Sequence, residues 1–188
     1  KHNWLMCWLY LGTFGSFIGF SAGFPLLIKG LFPDIDPTKL AFLGPLVGAV
    51  ARPIGGVIAD KLGGARVTFW VFLLMGLAVG AVIHFMPVKV DGTLTGGNFH
   101  GFFAAFLCLF ALTGIGNAST FRMIPVIFLT LHERMAQSGQ SVSRDQVLQS
   151  ANKEAAAVLG FSGAIGAYGG FLDRKSTRLN SSHSDRSR

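Results

Sequence analysis

Long apolar runs constrain this chain more than any other feature. Five can be drawn, over Trp4–Ile28, Leu40–Ala59, Val67–Met86, Phe99–Leu131 and Ala155–Leu172. A bilayer core of ~30 Å takes about 20 helical residues to cross, and four of the five runs reach that length. The fifth is cut short. None alternates like a barrel strand, and in lipid every backbone polar group has to be satisfied locally, so helices are expected. The fold class is therefore all-α, a polytopic membrane helical bundle of about five transmembrane helices. Charged residues make up 13% of the chain, against about 25% in a soluble domain, which points the same way.

The connections carry the orientation. Lys1, Lys61, Arg66, Arg134, Arg144 and Lys153 fall on one side. Lys29, Lys39 and Lys89 fall on the other, diluted by Asp34, Asp36 and Asp91. The positive-inside rule then puts the N-terminus in the cytoplasm, with a multi-pass topology. The formal net charge of +7 is not a nucleic-acid signal, because the basic residues are scattered over short loops and the tail. Cys7 and Cys108 both lie in apolar runs and read as small buried hydrophobes, not as a disulfide.

Both ends of the sequence are unusual. It opens Lys1-His2-Asn3 without an initiator Met, which reads as a cut inside a larger protein. At Leu172 the apolar run gives way within one residue to Asp173-Arg-Lys-Ser-Thr-Arg-Leu-Asn-Ser-Ser-His183. That string resembles the in-frame translation of a common sequencing-adapter read. Residues 1–172 are thus expected to form the membrane bundle, and 173–188 to be an unstructured artefact outside it.

Arg52 is the residue that best suggests a function. It lies eight residues inside the point where its helix reaches water near Asp60, or about 12 Å deep. A lone Arg near the midplane costs at least about 2.5–3.5 kcal/mol on insertion scales. No Asp or Glu in an apolar run is available as a fixed partner. A guanidinium facing an aqueous cavity suits a planar anion, because its fork donates two parallel hydrogen bonds. Carboxylate, nitrate and nitrite all fit. The bland alternative is a structural Arg tied to backbone carbonyls, or to an acid on a helix outside this chain. Pro53 bends the same helix and frees the Ala49 carbonyl. Gly44, Gly48, Gly55 and Gly56 thin it, as helix packing alone would also require.

Three further constellations surround it. Tyr10 and Phe14 stand one turn apart on the first helix and share a face; they could supply a hydroxyl and an aromatic wall, or merely pack. Gly12, Gly15, Gly19 and Gly23 line a groove along the same helix. The last run, Gly160-Phe-Ser162-Gly163-Ala-Ile-Gly166-Ala-Tyr-Gly169-Gly170, has glycine every third residue. That leaves a narrow stripe of backbone past which a helix or small substrate could slide. Arg122 falls about 35 Å along its helix from Phe99, near the cytoplasmic end. There it reads as a snorkelling or gate-pairing residue, or as a lure for anions at the inward mouth. His84, His100 and His132 have no metal-ligand spacing. No cofactor, metal site, nucleophile arrangement, phosphate loop or carboxylate pair is expected, and no enzyme activity.

The loop Gly56-Val-Ile-Ala-Asp60-Lys61-Leu-Gly63-Gly-Ala-Arg66 resembles the motif Gly-x-x-x-Asp-Arg/Lys-x-Gly-x-x-Arg of major facilitator transporters. Physically, Asp60 can close a helix end and pair with Arg66 or a neighbouring helix, while Gly63 and Gly64 permit a tight turn. The Gly160–Gly170 run is similar to the glycine-rich nitrate signature of the NarK-type nitrate/nitrite porters, a branch of that superfamily. Tyr10-Leu-Gly-Thr-Phe-Gly-Ser-Phe-Ile-Gly-Phe-Ser-Ala-Gly23 resembles the seventh helix of those porters. Ala51-Arg52, Gly55-Gly56 and Gly63-Gly64-Ala-Arg66-Val-Thr68 resemble the eighth helix and the loop after it.

The resemblance implies half of a major facilitator fold, helices seven to eleven, with the N-terminal half of the same chain as a missing partner. It implies that Arg52 is one jaw of a two-arginine clamp on nitrate or nitrite. Tyr10, Phe14 and Phe121 would shape the anion slot, and Gly160, Gly163 and Gly166 would belong to the signature helix. Gly163 departs from members that place a serine there, and Ser162 could stand in for it. Gly56, Asp60, Lys61, Gly63 and Arg66 would form the gating loop. The implied function is alternating-access transport in a lipid bilayer, as nitrate/nitrite exchange. Nitrate/proton symport, a carboxylate or other small-anion carrier, and a non-transport membrane subunit remain open at this point. The segment by itself is expected to transport nothing.

Overall fold

The computed structural model describes residues 8–90, 93–137, 145–146, 148–161 and 163–164. Helix α1 spans Trp8–Leu31 and is π-helical over Leu11–Gly15. Helices α2 (Leu43–Leu62), α3 (Gly64–Phe85) and α4 (Phe99–Gln137) follow, and a further helical segment, α5, covers 148–161. Four helices, α1 to α4, are long and apolar enough to cross a membrane. The start of the expected fifth span is helical, but the helix begins before Ala155. Ser162, Gly166, the rest of that run and Asp173–Arg188 lie outside the described residues.

The helix ends follow local chemistry. Asp36 starts a short 3-10 turn at Pro37–Lys39; its Oδ1 accepts from the Thr38 hydroxyl at 2.6 Å and the Thr38 N–H at 3.0 Å. Those bonds hold its carboxyl below the usual carboxylate range. Gly63 alone separates α2 from α3. Its φ of +88° lies where side-chain-bearing residues are strained, so glycine is required there. Two three-residue strands, β1 (Val88–Val90) and β2 (Thr93–Thr95), pair antiparallel between α3 and α4 with Val88 opposite Thr95. The all-helical reading did not anticipate this hairpin. Its source is the alternation in Val88-Lys-Val-Asp-Gly-Thr-Leu-Thr95 around an Asp-Gly dipeptide, which favours a tight turn.

Helix α4 is the hub. Toward its N-terminal half, Phe102, Phe106 and Phe110 pack with Phe24 and Ile28 of α1 and Val82 of α3. The Phe24 and Phe106 rings stack with centroids 4.4 Å apart. In the middle, Leu109 joins Ala59 of α2 and Val67, Val71, Met75 and Ala78 of α3. Toward its C-terminal half, Ile124 and Phe128 bury Ala151, Ala155 and Val158 of α5.

Small residues decide how closely the helices approach. A Cβ on Gly114 of α4 would stand 2.3 Å from the Gly48 carbonyl oxygen, and one on Gly55 would stand 2.6 Å from the Ile115 Cα. The backbones of α2 and α4 therefore touch along Gly48, Gly55 and Gly114. The α1 glycines differ. A Cβ on Gly23 meets nothing within 4 Å, and one on Gly15 meets only Leu11 of its own helix. Buried hydroxyls add cross-helix bonds: Thr68 to Ser119 at 2.9 Å and Thr13 to Thr120 at 3.4 Å. The outward faces of α2 and α3 carry Ile54, Val57, Trp70, Leu77 and Ile83, each more than half exposed. An apolar face of that extent matches lipid, not water.

Candidate anion site on the middle of helix α2

Arg52 is the tenth of the twenty residues of α2. At ~1.5 Å per residue it stands ~15 Å from either end, at the middle of a bilayer-spanning helix. Its Nε and Nη2 are buried and have no hydrogen-bond partner. The guanidinium carbon lies 4.4 Å from the centroid of the Phe17 ring and 5.7 Å from that of Phe14. Cation–π contacts contribute about 0.5–2 kcal/mol, less than the ~2.5–3.5 kcal/mol that a midplane Arg costs. The aromatic faces hold the charge without neutralising it. Among the described residues, no carboxylate forms an ion pair with Arg52. The three N–H donors of Nε and Nη2, held at a fixed place in low dielectric, are suited to donate to a small anion.

The aromatic wall is assembled by α1. Tyr10 is 6% exposed and its ring stacks on Phe14 with centroids 5.2 Å apart. The ring of Phe121, from α4, approaches Tyr10 to 6.1 Å. Arg52, Tyr10, Phe14 and Phe121, expected together from sequence, are therefore brought together by three different helices. The π-helical turn Leu11–Gly15 lies between Tyr10 and Phe17. Such a bulge widens the helix by one residue, and with it the rotation that sets which ring faces α2. Thr13 and Ser16 donate hydroxyl bonds to carbonyls four residues back, Thr13 to Leu9 at 3.1 Å and Ser16 to Gly12. Both hydroxyls are thereby satisfied inside the helix.

Phe17 is the site residue that the sequence reading missed. It lies three residues after Phe14, so helical spacing could have placed it on the same face. In an 18-phenylalanine chain that signal is diluted, since most of the others pack in the core. Gly160 and Gly163 are not brought against this cluster: a Cβ on either would meet nothing within 4 Å.

The loop residues divide. Gly63 makes the turn. Gly64, the first residue of α3, packs against Ser119 and Met123 of α4. Gly56 borders open space. Lys61 and Arg66 form no ion pair among the described residues. Asp60 pairs with Arg122 of α4, whose Nε donates to its Oδ1. A carboxylate two residues from the end of α2 is disfavoured by the helix dipole, and Arg122 offsets this. The partner is thus on the neighbouring helix, not Arg66. The two side chains are 59% and 42% exposed, so solvent weakens the attraction to at most about 1 kcal/mol. A double-mutant cycle with Asp60→Asn and Arg122→Gln, read by thermal unfolding in detergent, is expected to give a coupling of about 0.2–1 kcal/mol. A coupling of zero would show that the pair adds nothing to stability.

No family model matches the chain. Individual relatives do. It is 48% identical over 173 residues to the nitrate/nitrite transporter NarU of Escherichia coli strain K12, covering 91% of this chain and 36% of that transporter. It is 47% identical, with the same coverage, to NarU of Salmonella typhimurium strain LT2. To the probable nitrate/nitrite antiporter NarK2 of Thermus thermophilus it is 39% identical over 180 residues, covering 92% of this chain and 34% of the relative. The chain spans about a third of the length of these relatives. With a bundle of membrane-length helices and this degree of identity along nine-tenths of its length, the chain is homologous to about a third of these nitrate/nitrite transporters.

Proposed function

We propose that this chain is the C-terminal-half bundle of an inner-membrane nitrate/nitrite exchanger with a major facilitator fold, its N-terminus on the cytoplasmic side. The observation that carries this reading is the Arg52 guanidinium, buried at mid-helix with Nε and Nη2 unpartnered and aromatic rings around it. In the proposed mechanism a planar anion takes up the Arg52 donors, and a second cationic group from the other half closes on it. Bound anion offsets the repulsion between the two cations, so a loaded carrier reorients and an empty one resists. The relatives named as nitrate/nitrite transporters and a probable antiporter support the substrate and the exchange mode. Within α1–α4 the carboxylates sit near helix ends, Asp60 in α2 and Glu133 in α4. None stands at the depth of Arg52 to relay a proton, which favours exchange over proton symport.

A chimera tests this, with the matched 173 residues of the E. coli transporter replaced by those of this chain. Proteoliposomes loaded with nitrite are expected to take up isotope-labelled nitrate, and empty ones to take up little. Uptake into empty vesicles driven by a proton gradient would replace exchange by symport. No nitrate uptake under either condition would overturn the reading.

A further inference from the structure

Among the described residues, buried side-chain atoms without a hydrogen-bond partner occur on three residues only: Arg52, Asn117 and His132. Asn117 is not explained by anything above. It sits on α4, 6% exposed, with its Oδ1 unpartnered. A buried carboxamide left unsatisfied in an apolar helix bundle lowers stability, and such groups in native proteins call for a reason.

Its position supplies one. Gly114, three residues earlier, packs against the Gly48 carbonyl and Ala51, the neighbour of Arg52. Phe121, four residues later, faces the ring of Tyr10. Residues three and four apart share a helix face. Asn117 therefore stands on α4 between the point where α4 touches the Arg52 helix and the point where it meets Tyr10. Thr113 and Thr120, its neighbours on the same helix, already spend their hydroxyls on the Phe110 and Gly116 carbonyls. Among the described residues of this stretch of α4, only Asn117 keeps a buried side-chain atom without a partner.

We propose that Asn117 is a further residue of the anion site, offering the planar oxyanion a neutral N–H donor from α4 beside the Arg52 guanidinium. This rests on the reading of Arg52 as the anion-gripping residue. A carboxamide carries an acceptor and a two-proton donor of nearly equal size, exchanged by a half-turn of its terminal torsion. The NH2 group turned toward the site would donate to an anion oxygen. An aromatic cage and one cation would hold any small anion, whereas a fixed in-plane donor favours flat oxyanions over spherical halides.

The test uses the full-length chimera and sodium nitrate, sodium nitrite and sodium chloride as probes. Asn117→Ala is expected to raise the KM for nitrate about tenfold or more and to reduce the preference for nitrate over chloride in competition. Asn117→Asp is expected to do worse than alanine near neutral pH, by placing a like charge beside the anion, and to recover partly as pH falls and the carboxyl protonates. If alanine does not fold, Asn117→Ser, which keeps a donor, gives the same comparison with a smaller shift. Parent-like KM and selectivity in these variants, or a lower melting temperature alone, would overturn the proposal. Arg52→Lys is measured beside them. If it cripples exchange while the Asn117 variants remain normal, only the Asn117 proposal falls. If Arg52→Lys is also normal, the reading of Arg52 falls with it.

Discussion

Arg52→Met in the full-length chimera is expected to abolish nitrate/nitrite exchange while leaving the anion-free protein as stable as the parent, or slightly more so. The two halves of that result have separate causes. Exchange is lost because the guanidinium donors that grip the anion from this half are removed, each charge-assisted hydrogen bond being worth about 1.5–3 kcal/mol. Stability holds because a midplane Arg costs about 2.5–3.5 kcal/mol and its two ring contacts return only about 0.5–2 kcal/mol. Methionine fills similar volume without charge. Arg52→Lys separates fork from charge: it keeps the cation but not the paired donors, and is expected to lower exchange at least about tenfold. The measurements are labelled-nitrate uptake and thermal unfolding with and without nitrate. A methionine variant that unfolds or loses several degrees would assign Arg52 to structure. A lysine variant with parent-like exchange would exclude the fork as the binding element.

Gly114→Val is expected to have the second largest effect, this time on the bundle itself. A Cβ at Gly114 would meet the Gly48 carbonyl oxygen at 2.3 Å, the Gly48 carbonyl carbon at 3.1 Å and the Ala51 Cβ at 3.2 Å. These are backbone atoms or a methyl fixed to backbone, so no rotamer change relieves the clash and the helices must part. Overpacking of this kind costs about 1–3 kcal/mol, with the upper end expected where backbone has to move. Because Ala51 adjoins Arg52, separation of α2 from α4 also displaces the guanidinium, and nitrate-dependent stabilisation should fall with the melting temperature. Gly76→Ala on α3 is the control, since a Cβ there meets nothing within 4 Å. Its melting temperature should stay near the parent's. A Gly114→Val protein as stable as the parent would mean that α2 and α4 are not in backbone contact.

The two variants mark where sequence reading succeeds and where it stops. Arg52 was legible because a charge in an apolar run is costly wherever the helix ends up, and that cost needs no tertiary contact to be recognised. Gly114 was not. Gly23, Gly56 and Gly114 look equally like packing glycines in sequence, yet only Gly114 carries a backbone against its Cα. Spacing shows which residues share a face and leaves open what the face meets. Helix boundaries show the same limit. The run read as Leu40–Ala59 became α2 at Leu43–Leu62, and Phe99–Leu131 became α4 at Phe99–Gln137. Hydropathy ends at the first charges, whereas a helix continues through Asp60-Lys61 or His132-Glu-Arg134 because its hydrogen bonds are local.

What the sequence determined by itself was the class of structure and the depth of its one costly charge. Runs of about twenty apolar residues admit only membrane helices, and counting from the polar ends places Arg52 at the middle of one. Pairings between distant residues were decided by tertiary structure alone. Asp60 chose Arg122, 62 residues away, over Arg66 nearby. Phe17, not only Phe14, covers the guanidinium. Asn117, silent in sequence, stands buried and unpartnered between the contacts to Ala51 and Tyr10. The reason is common to all three: the energy of a side-chain contact depends on distance and burial across helices, and neither quantity exists until the helices have packed.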